Sequence, residues 1–413
     1  MVFLTQKDAK FVEAVFREYY NKNVDKVYTP EKIDEREFGY FPFSEKIMVR
    51  HLYFDTEEKL KDFLKKVVPL HVYHSAAFYR YPSAPMEEKE WLGADLIFDI
   101  DADHLRTRCR REHDFKICPE CLDVYGREYE RCIKCNSQLI EVEWVCELCH
   151  EAAKEEVYKL LDFLETDLGF QKIKISFSGN RGYHVVVTDE NIRELGQLER
   201  KEIVDYITGT GILFEYLGLN IESKKKMRIT RNWPEVTDPG WRSRIAKSIV
   251  KLVIGGELEE IIELPGEKKI IEKYSDILRE FSEKWSEEIV WDSIPTPLLK
   301  ILGKAALEYS SAKIDVVVTS DIHRLIRLGN TLNGKSGLIA KIIDIDELEI
   351  FDPFYDAVAL PMDREVKIRV VKTPRFKFSG IEFPEYRNEV VKLPLPVAVL
   401  LISKNMATIS NVS

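Results

Sequence analysis

The sequence predicts an α+β fold, with a cysteine-rich insertion at metal-ligand spacing and a mostly helical insertion. Three observations carry this. Helical apolar spacing recurs in segments such as 7–22 and 150–168. Short β-rich runs lie between those segments, several of them ending in carboxylates or a glycine turn. All seven cysteines fall between Cys109 and Cys149.

In 7–22, Phe11, Val12, Val15, Phe16 and Tyr19 define one helical face, and 57–66 repeats the pattern. Residues 68–81 (VPLHVYHSAAFYRY) are β-rich, and 94–101 (ADLIFDID) reads as a buried strand. The cysteine segment follows as an insertion over 104–149. A helix over 150–168 then puts Val157, Leu160, Leu161 and Leu164 on one side. Residues 172–188 read as strand–turn–strand, with Gly179 and Gly182 in the turn. From 192 to 310 the chain is mostly helical and highly charged. Residues 313–319 (KIDVVVT) read as a strand, 321 onward as a short helix, and 337–345 as a returning strand. The division expected is a core of 1–103, 150–191 and 311–413, a metal-binding insertion at 104–149 and a helical insertion at 192–310.

Composition narrows the function. Hydrophobic residues make up 45% of the 413, enough for a sizeable core, and net charge is −10. A polyanion partner must therefore meet local basic patches. The longest apolar stretch, Leu393 to Ile402, is ten residues with two prolines, too short to span a bilayer, so no membrane is expected. MVFLTQKDAKF shows no signal-peptide pattern, which makes the cytoplasm the expected compartment. Four glutamines beside abundant Glu, Lys and Arg lean towards a thermophile.

Side chains alternate along a strand, so Asp99 and Asp101 share one face, with Cα atoms about 6.6 Å apart, while Leu96, Phe98 and Ile100 point into the core. Two carboxylates on one wall can hold a pair of hard divalent cations. Merely solvated acids at a strand end are the plain alternative. Asp315, an acid within a β-branched run, either faces solvent or joins that site. Asp103 is a weaker fourth acid.

In Ser178-Gly179-Asn180-Arg181-Gly182-Tyr183-His184, glycines allow a tight turn whose N–H groups can cradle phosphate. Ser178 and His184 can donate to it, and Arg181 can fork onto phosphate oxygens. His323 and Arg327, spaced i, i+4 on the expected helix, would share a face, with Lys335 in the next turn. An ordinary hairpin and a surface helix with scattered charge would produce the same residues.

Cys118-x-x-Cys121 and Cys132-x-x-Cys135 are two hooks that can close a tetrahedral site for one structural zinc. Cys146-x-x-Cys149 is a third hook able to replace either, with Cys109, His104, His113 and His150 nearby. Residues 222–244 hold seven Lys/Arg against three acids, with Trp233 and Trp241 between them, and 366–378 hold five bases and no acid. With Arg106, Arg108, Arg110 and Arg111, these patches can follow a nucleic-acid backbone, and the aromatics can stack on bases. Solvated surface charge reads the same way. Tyr79 and Arg80 are further candidate contacts to a strand.

Three motifs now coincide: Phe98-Asp99-Ile100-Asp101, the 178–184 turn, and Asp315 followed by His323-Arg324-Leu325-Ile326-Arg327 and Gly334-Lys335-Ser336-Gly337-Leu338. Their order and separation resemble the catalytic small subunit of archaeal and eukaryotic DNA primase, in outline over residues 1–345. Arg36-Glu37-Phe38 and Met86 to Trp91 are also similar to the archaeal members. The resemblance implies a primase core of small mixed β-sheets, RNA-recognition-motif-like, flanked by helices, with a single zinc knuckle beside it. It implies Asp99, Asp101 and Asp315 as acids for two divalent cations, magnesium or manganese. Ser178, Gly179, Arg181 and His184 would grip the phosphates of an incoming nucleoside triphosphate, with His323, Arg327 and Lys335 assisting. Asn333 stands where the family commonly has His, which removes a charge next to Lys335. The activity implied is de novo synthesis of short primers on a single-stranded DNA template, in a heterodimer with a larger subunit. A gap-filling repair polymerase on the same core, and a zinc-stabilised nucleic-acid-binding protein without activity, are the alternatives.

Overall fold

The computed structural model describes residues 5–45, 47–105, 107, 109–142, 144–219, 233–262, 264–284 and 291–410. Arg106, Arg108 and the 222–232 part of the basic stretch lie outside the described residues. Two compact units emerge: Met1–Val157, Phe170–Lys201 and Ile314–Ser413 form the first, Tyr158–Gly169 and Glu202–Lys313 the second. The cysteine segment thus falls within the first unit, and the helical unit begins at Glu202 and takes in residues 158–169. No helix among the described residues is long and apolar enough to cross a membrane.

The first unit is built on two four-stranded sheets. One orders its strands Leu325–Arg327, His71–Ser75, Phe38–Phe41, Val49–Leu52. The helix Gln6–Asn23 buries Val12, Val15, Phe16, Tyr19 and Tyr20, the face the sequence spacing marks out, and Thr5 caps its start by accepting from the Asp8 amide. The other sheet orders Ile342–Ile343, Ile173–Phe177, Gly182–Val187, Leu96–Asp101. Leu96, Phe98 and Ile100 are fully buried, while Asp99 and Asp101 are half-buried.

Three expectations are corrected here. The sheets are small but not mixed, because every ladder among the described residues is antiparallel. The tight hairpin turn at 178–181 joins antiparallel neighbours directly and needs no crossover. Residues 316–320 form a short helix, not a strand: Asp315 caps it by accepting at Oδ1 from the Val317 and Val318 amides, and this local bonding overrides the β preference of three valines. Residues 323–327 are not helical either. His323 sits in a turn and Leu325–Arg327 is an edge strand paired with Tyr73–Ser75, so the i, i+4 argument does not apply. The apolar run near the C-terminus, too short to span a bilayer, forms the wholly buried helix Leu395–Ser403.

In the second unit, the helix Trp241–Ile254 packs on Thr296–Ser310. Trp241 is buried and donates from Nε1 to the Tyr206 carbonyl, so it is core and not a stacking platform. Arg244 lies 3.7 Å from the Phe163 ring centroid and pairs with Asp167, which takes it out of the expected basic patch.

Candidate active site

The acid strand and the hairpin meet in register. Gly182 pairs with Asp101 and His184 with Asp99 across the antiparallel ladder. A Cβ on Gly182 would collide with the Ile100 carbonyl, so only glycine lets the turn lie this close to the acids. Gly179 adopts φ +81°, and a Cβ there would lie 2.8 Å from Asn333 Cβ. The turn is braced from behind. Asn333 Nδ2 donates to the Ser178 carbonyl at 2.8 Å, the Ser336 hydroxyl donates to the Gly179 carbonyl, and Lys404 Nζ donates to Asn180 Oδ1 at 3.2 Å. Asn333 Oδ1 also accepts from the Lys335 amide at 2.9 Å. Asn333 therefore works as an internal brace, a role that needs no charge.

Asp315 reaches the acid strand through its backbone, its amide donating to the Asp99 carbonyl at 2.9 Å. Burial, with the Asp315 charge next, pushes the Asp99 carboxyl up to about 6. Burial raises Asp101 as well, against the pull of Arg181. Arg181 bridges two acids: its Nε lies 2.8 Å from Asp101 Oδ1 and its terminal nitrogen 2.5 Å from Asp103 Oδ2. His184 Nε2 stands 3.7 Å from Asp99 Oδ1, and its Nδ1 is buried with no hydrogen-bond partner among the described residues. Burial, then Arg327, holds the His184 imidazole down to about 4, so it is neutral at pH 7.

Except for Asp103 and Asp315, these groups line one cleft of about 930 Å³, within the roughly 300–1,000 Å³ usual for small-ligand sites. Asp99, Asp101, Ser178, Arg181, His184, Arg327 and Lys335 all contribute to its wall. The Arg327 guanidinium is fixed on three sides. It bonds His71 Nδ1 at 2.7 Å, donates to the Tyr73 hydroxyl at 3.0 Å and lies 4.6 Å from the Tyr73 ring centroid. The Gly334 amide also donates to His71 Nδ1, so that histidine carries its proton on Nε2. Burial, then the neighbouring Arg181, lowers Lys335; burial, with Arg181 and Lys335 next, lowers Lys404 to about 7. Buried lysines lowered by neighbouring cations are stabilised by an anion.

Some expected residues stand elsewhere. His323 is not on the cleft wall: its Nδ1 meets the Tyr79 hydroxyl at 2.9 Å and the two rings stack. Tyr79 is fully buried, so it supports His323 and offers no surface to a strand, and Arg80 pairs with Glu90. Arg324, Tyr73 and His71 line the cleft instead, and Lys404 backs its turn; sequence reasoning missed all four in this role. Arg324 stood within the quoted motif. Lys404 left no signal, being one lysine after an apolar run.

The cysteines form two ligand sets, each with its donor atoms within 4.8 Å of one another. Cys118, Cys121, Cys132 and Cys135 make one, on the loops of a three-stranded sheet, Val124–Tyr125, Phe115–Ile117, Ile140–Val142. Cys109, His113, Cys146 and Cys149 make the other. The third hook, which the spacing allowed to replace either of the first two, thus lies in a set of its own. Four thiolates in one set, and three thiolates with an imidazole in the other, suit a metal such as zinc. His113 Nδ1 lies 2.9 Å from Asp114 Oδ1, the carboxylate partner that ligating histidines usually have. The missed signal was Cys109-x-x-x-His113 upstream of the third hook.

A family model described as DNA primase small subunit matches residues 98–345, a span that opens at the acid strand and closes beyond Lys335. The DNA primase small subunit PriS of Nitrosopumilus maritimus is 35% identical over 411 residues, covering 98% of this chain and 100% of that one. Those of Methanococcoides burtonii and Archaeoglobus fulgidus are 31% and 33% identical over 422 and 405 residues, covering 97% and 96% of this chain and 98% of each relative.

Proposed function

We propose, from the premise that this chain belongs to the DNA primase small-subunit family, that it is a nucleotidyltransferase that starts primers de novo on single-stranded DNA. The observation that supports the reading is the backbone bond from Asp315 to Asp99, which brings the Asp315 backbone to the acid strand. Membership rests on the matched span and the near-full-length relatives.

Asp99, Asp101 and Asp315 would hold divalent cations, which when bound would supply positive charge to the reacting phosphate and lower the pKa of a 3′-hydroxyl. The raised Asp99 and Asp101 carboxyls fit that role, since buried like charges favour a counter-cation. Arg181 and Lys335 offset charge on the triphosphate, and the fixed Arg327 guanidinium presents donors without reorganising. Neutral His184 donates one hydrogen bond and accepts another, so it orients the phosphates without adding charge. The Ser178–Gly182 turn brings backbone close to the acids. Magnesium or manganese would serve, and a larger subunit would complete a heterodimer.

The test is incubation with labelled nucleoside triphosphates and unprimed single-stranded DNA, with and without divalent cation. Primers should appear with wild type and cation only, and vanish in Asp99→Ala. Synthesis confined to gapped, primed DNA would instead favour the repair polymerase. No synthesis on either template, with DNA still bound, would leave the binding protein without activity.

A further inference from the structure

A continuous chain of contacts runs from the Cys109/His113/Cys146/Cys149 set to the acid wall. His113 Nδ1 meets Asp114 Oδ1, and Arg110 Nε donates to the other oxygen of the same carboxylate at 3.2 Å. The same guanidinium donates from a terminal nitrogen to the Asp103 carbonyl at 2.5 Å. The Asp103 carboxylate in turn holds Arg181, which also holds Asp101. Asp114 is buried, with a side chain 1% exposed, and is held by His113 and Arg110, with the Arg127 guanidinium farther off at 4.0 Å.

The geometry points to Arg110 as a positioning residue for the nucleotide site. It ties the cysteine–histidine set to the short turn Ala102–His104 and so fixes Asp103, and through it the Arg181 guanidinium. Without Arg110, the Asp103 carbonyl loses its donor and the turn relaxes. Arg181 then loses one of the two carboxylates that aim its fork. A metal in the cysteine–histidine set would orient His113 and Asp114, and hence Arg110, so occupancy there reaches the phosphate grip without touching substrate. This inference rests on the nucleotide-site reading above.

The test measures binding of adenosine triphosphate with magnesium by calorimetry, in wild type, Arg110→Ala, Arg181→Ala and the double variant, with zinc content measured on each. Arg110→Ala should keep its zinc and bind the nucleotide roughly tenfold more weakly. In the double variant it should add nothing to Arg181→Ala, because both act through one guanidinium. Arg110→Lys, which keeps the charge at Asp114, should recover part of the affinity and serves if the alanine variant does not fold. Removing zinc from wild type should weaken binding by a similar factor, and from Arg110→Ala by much less. Wild-type affinity in Arg110→Ala, or in Arg110→Lys if only that variant folds with no effect of zinc removal, overturns the relay. So does full additivity with Arg181→Ala. Wild type that binds no nucleotide sinks the nucleotide-site reading instead, and is thereby distinguished.

Discussion

The Asp315 amide donates to the Asp99 carbonyl oxygen at 2.9 Å, although 216 positions separate the two residues in the sequence. The chain leaves the first unit, builds the second, and returns at Ile314, one residue before this bond. Asp315 therefore does two things at once. One carboxylate oxygen caps a helix turn, and its charge raises the neighbouring Asp99.

That double role separates two substitutions. Asn caps a helix about as well as Asp, whereas Ala loses roughly 1 kcal/mol of cap. Asp315→Asn should keep its melting temperature near that of wild type and lose primer synthesis by at least ~10²-fold in kcat. Asp315→Ala should lose both. Thermal melts beside steady-state rates check this; an active Asp315→Asn would remove the residue from the cation site.

Asp99 makes a prediction about pH. Its carboxyl sits at about 6 in the fold, while an unfolded Asp titrates near roughly 4. The fold thus favours the protonated form. Without cation, this group's contribution to stability is largest below about pH 4 and is lost as pH rises through about 6. Protons and divalent cations compete for the same oxygens, so cation affinity should fall about tenfold per pH unit below about pH 6. Cation titrations from pH 5 to 8 check the slope, and raising the cation concentration should move the acidic limb of the rate profile downward. A flat affinity across that range would show that Asp99 does not bind the cation.

Much of this site was legible in the sequence because it depends on local chemistry. Two-residue alternation placed Asp99 and Asp101 on one face, and paired glycines placed the turn. What the sequence hid depends on partners far along the chain. Val316–Val318 carry strong β preference, yet one capping carboxylate makes them helical. Trp241 looks like a stacking aromatic beside basic residues until its indole is found on the Tyr206 carbonyl. Lys404 joins the site only because a buried helix ends beside Asn180. Three cysteine hooks admit several pairings, and folding alone brings Cys109 within 3.4 Å of Cys149.

Gly179 and Gly211 share a backbone conformation but differ in what surrounds them. Gly179 and Gly211 share a positive φ, +81° and +80°, but nothing lies within 4 Å of a Cβ placed at Gly211. Gly211→Ala should therefore meet only the left-handed strain, about 1–2 kcal/mol. Gly179→Ala adds a contact on Asn333 and should cost more, on the order of 1–3 kcal/mol beyond it. It should also weaken nucleoside triphosphate binding, because the brace on Ser178 moves. Denaturant melts on both variants, with binding on the first, check the ordering; equal losses would mean that Asn333 yields without cost.

The two cysteine sets predict metal stoichiometry. Each set has four donors, so the purified chain should carry two zinc ions. Cys132→Ser should remove one and Cys149→Ser the other, because no ligand is shared. The consequences should differ. The set of Cys118, Cys121, Cys132 and Cys135 sits on the loops of a small three-stranded sheet, two of its cysteines exposed, so losing it should melt that sheet and leave catalysis within a few-fold. The other set packs under the core, where Cys149 and the adjacent His150 are buried and His150 stacks edge-on against Phe177 of the hairpin. Its loss should lower the melting temperature of the whole first unit and reduce nucleotide affinity. Metal analysis with thermal melts of both variants decides the point, and a single zinc that survives either substitution would show that the hooks exchange ligands.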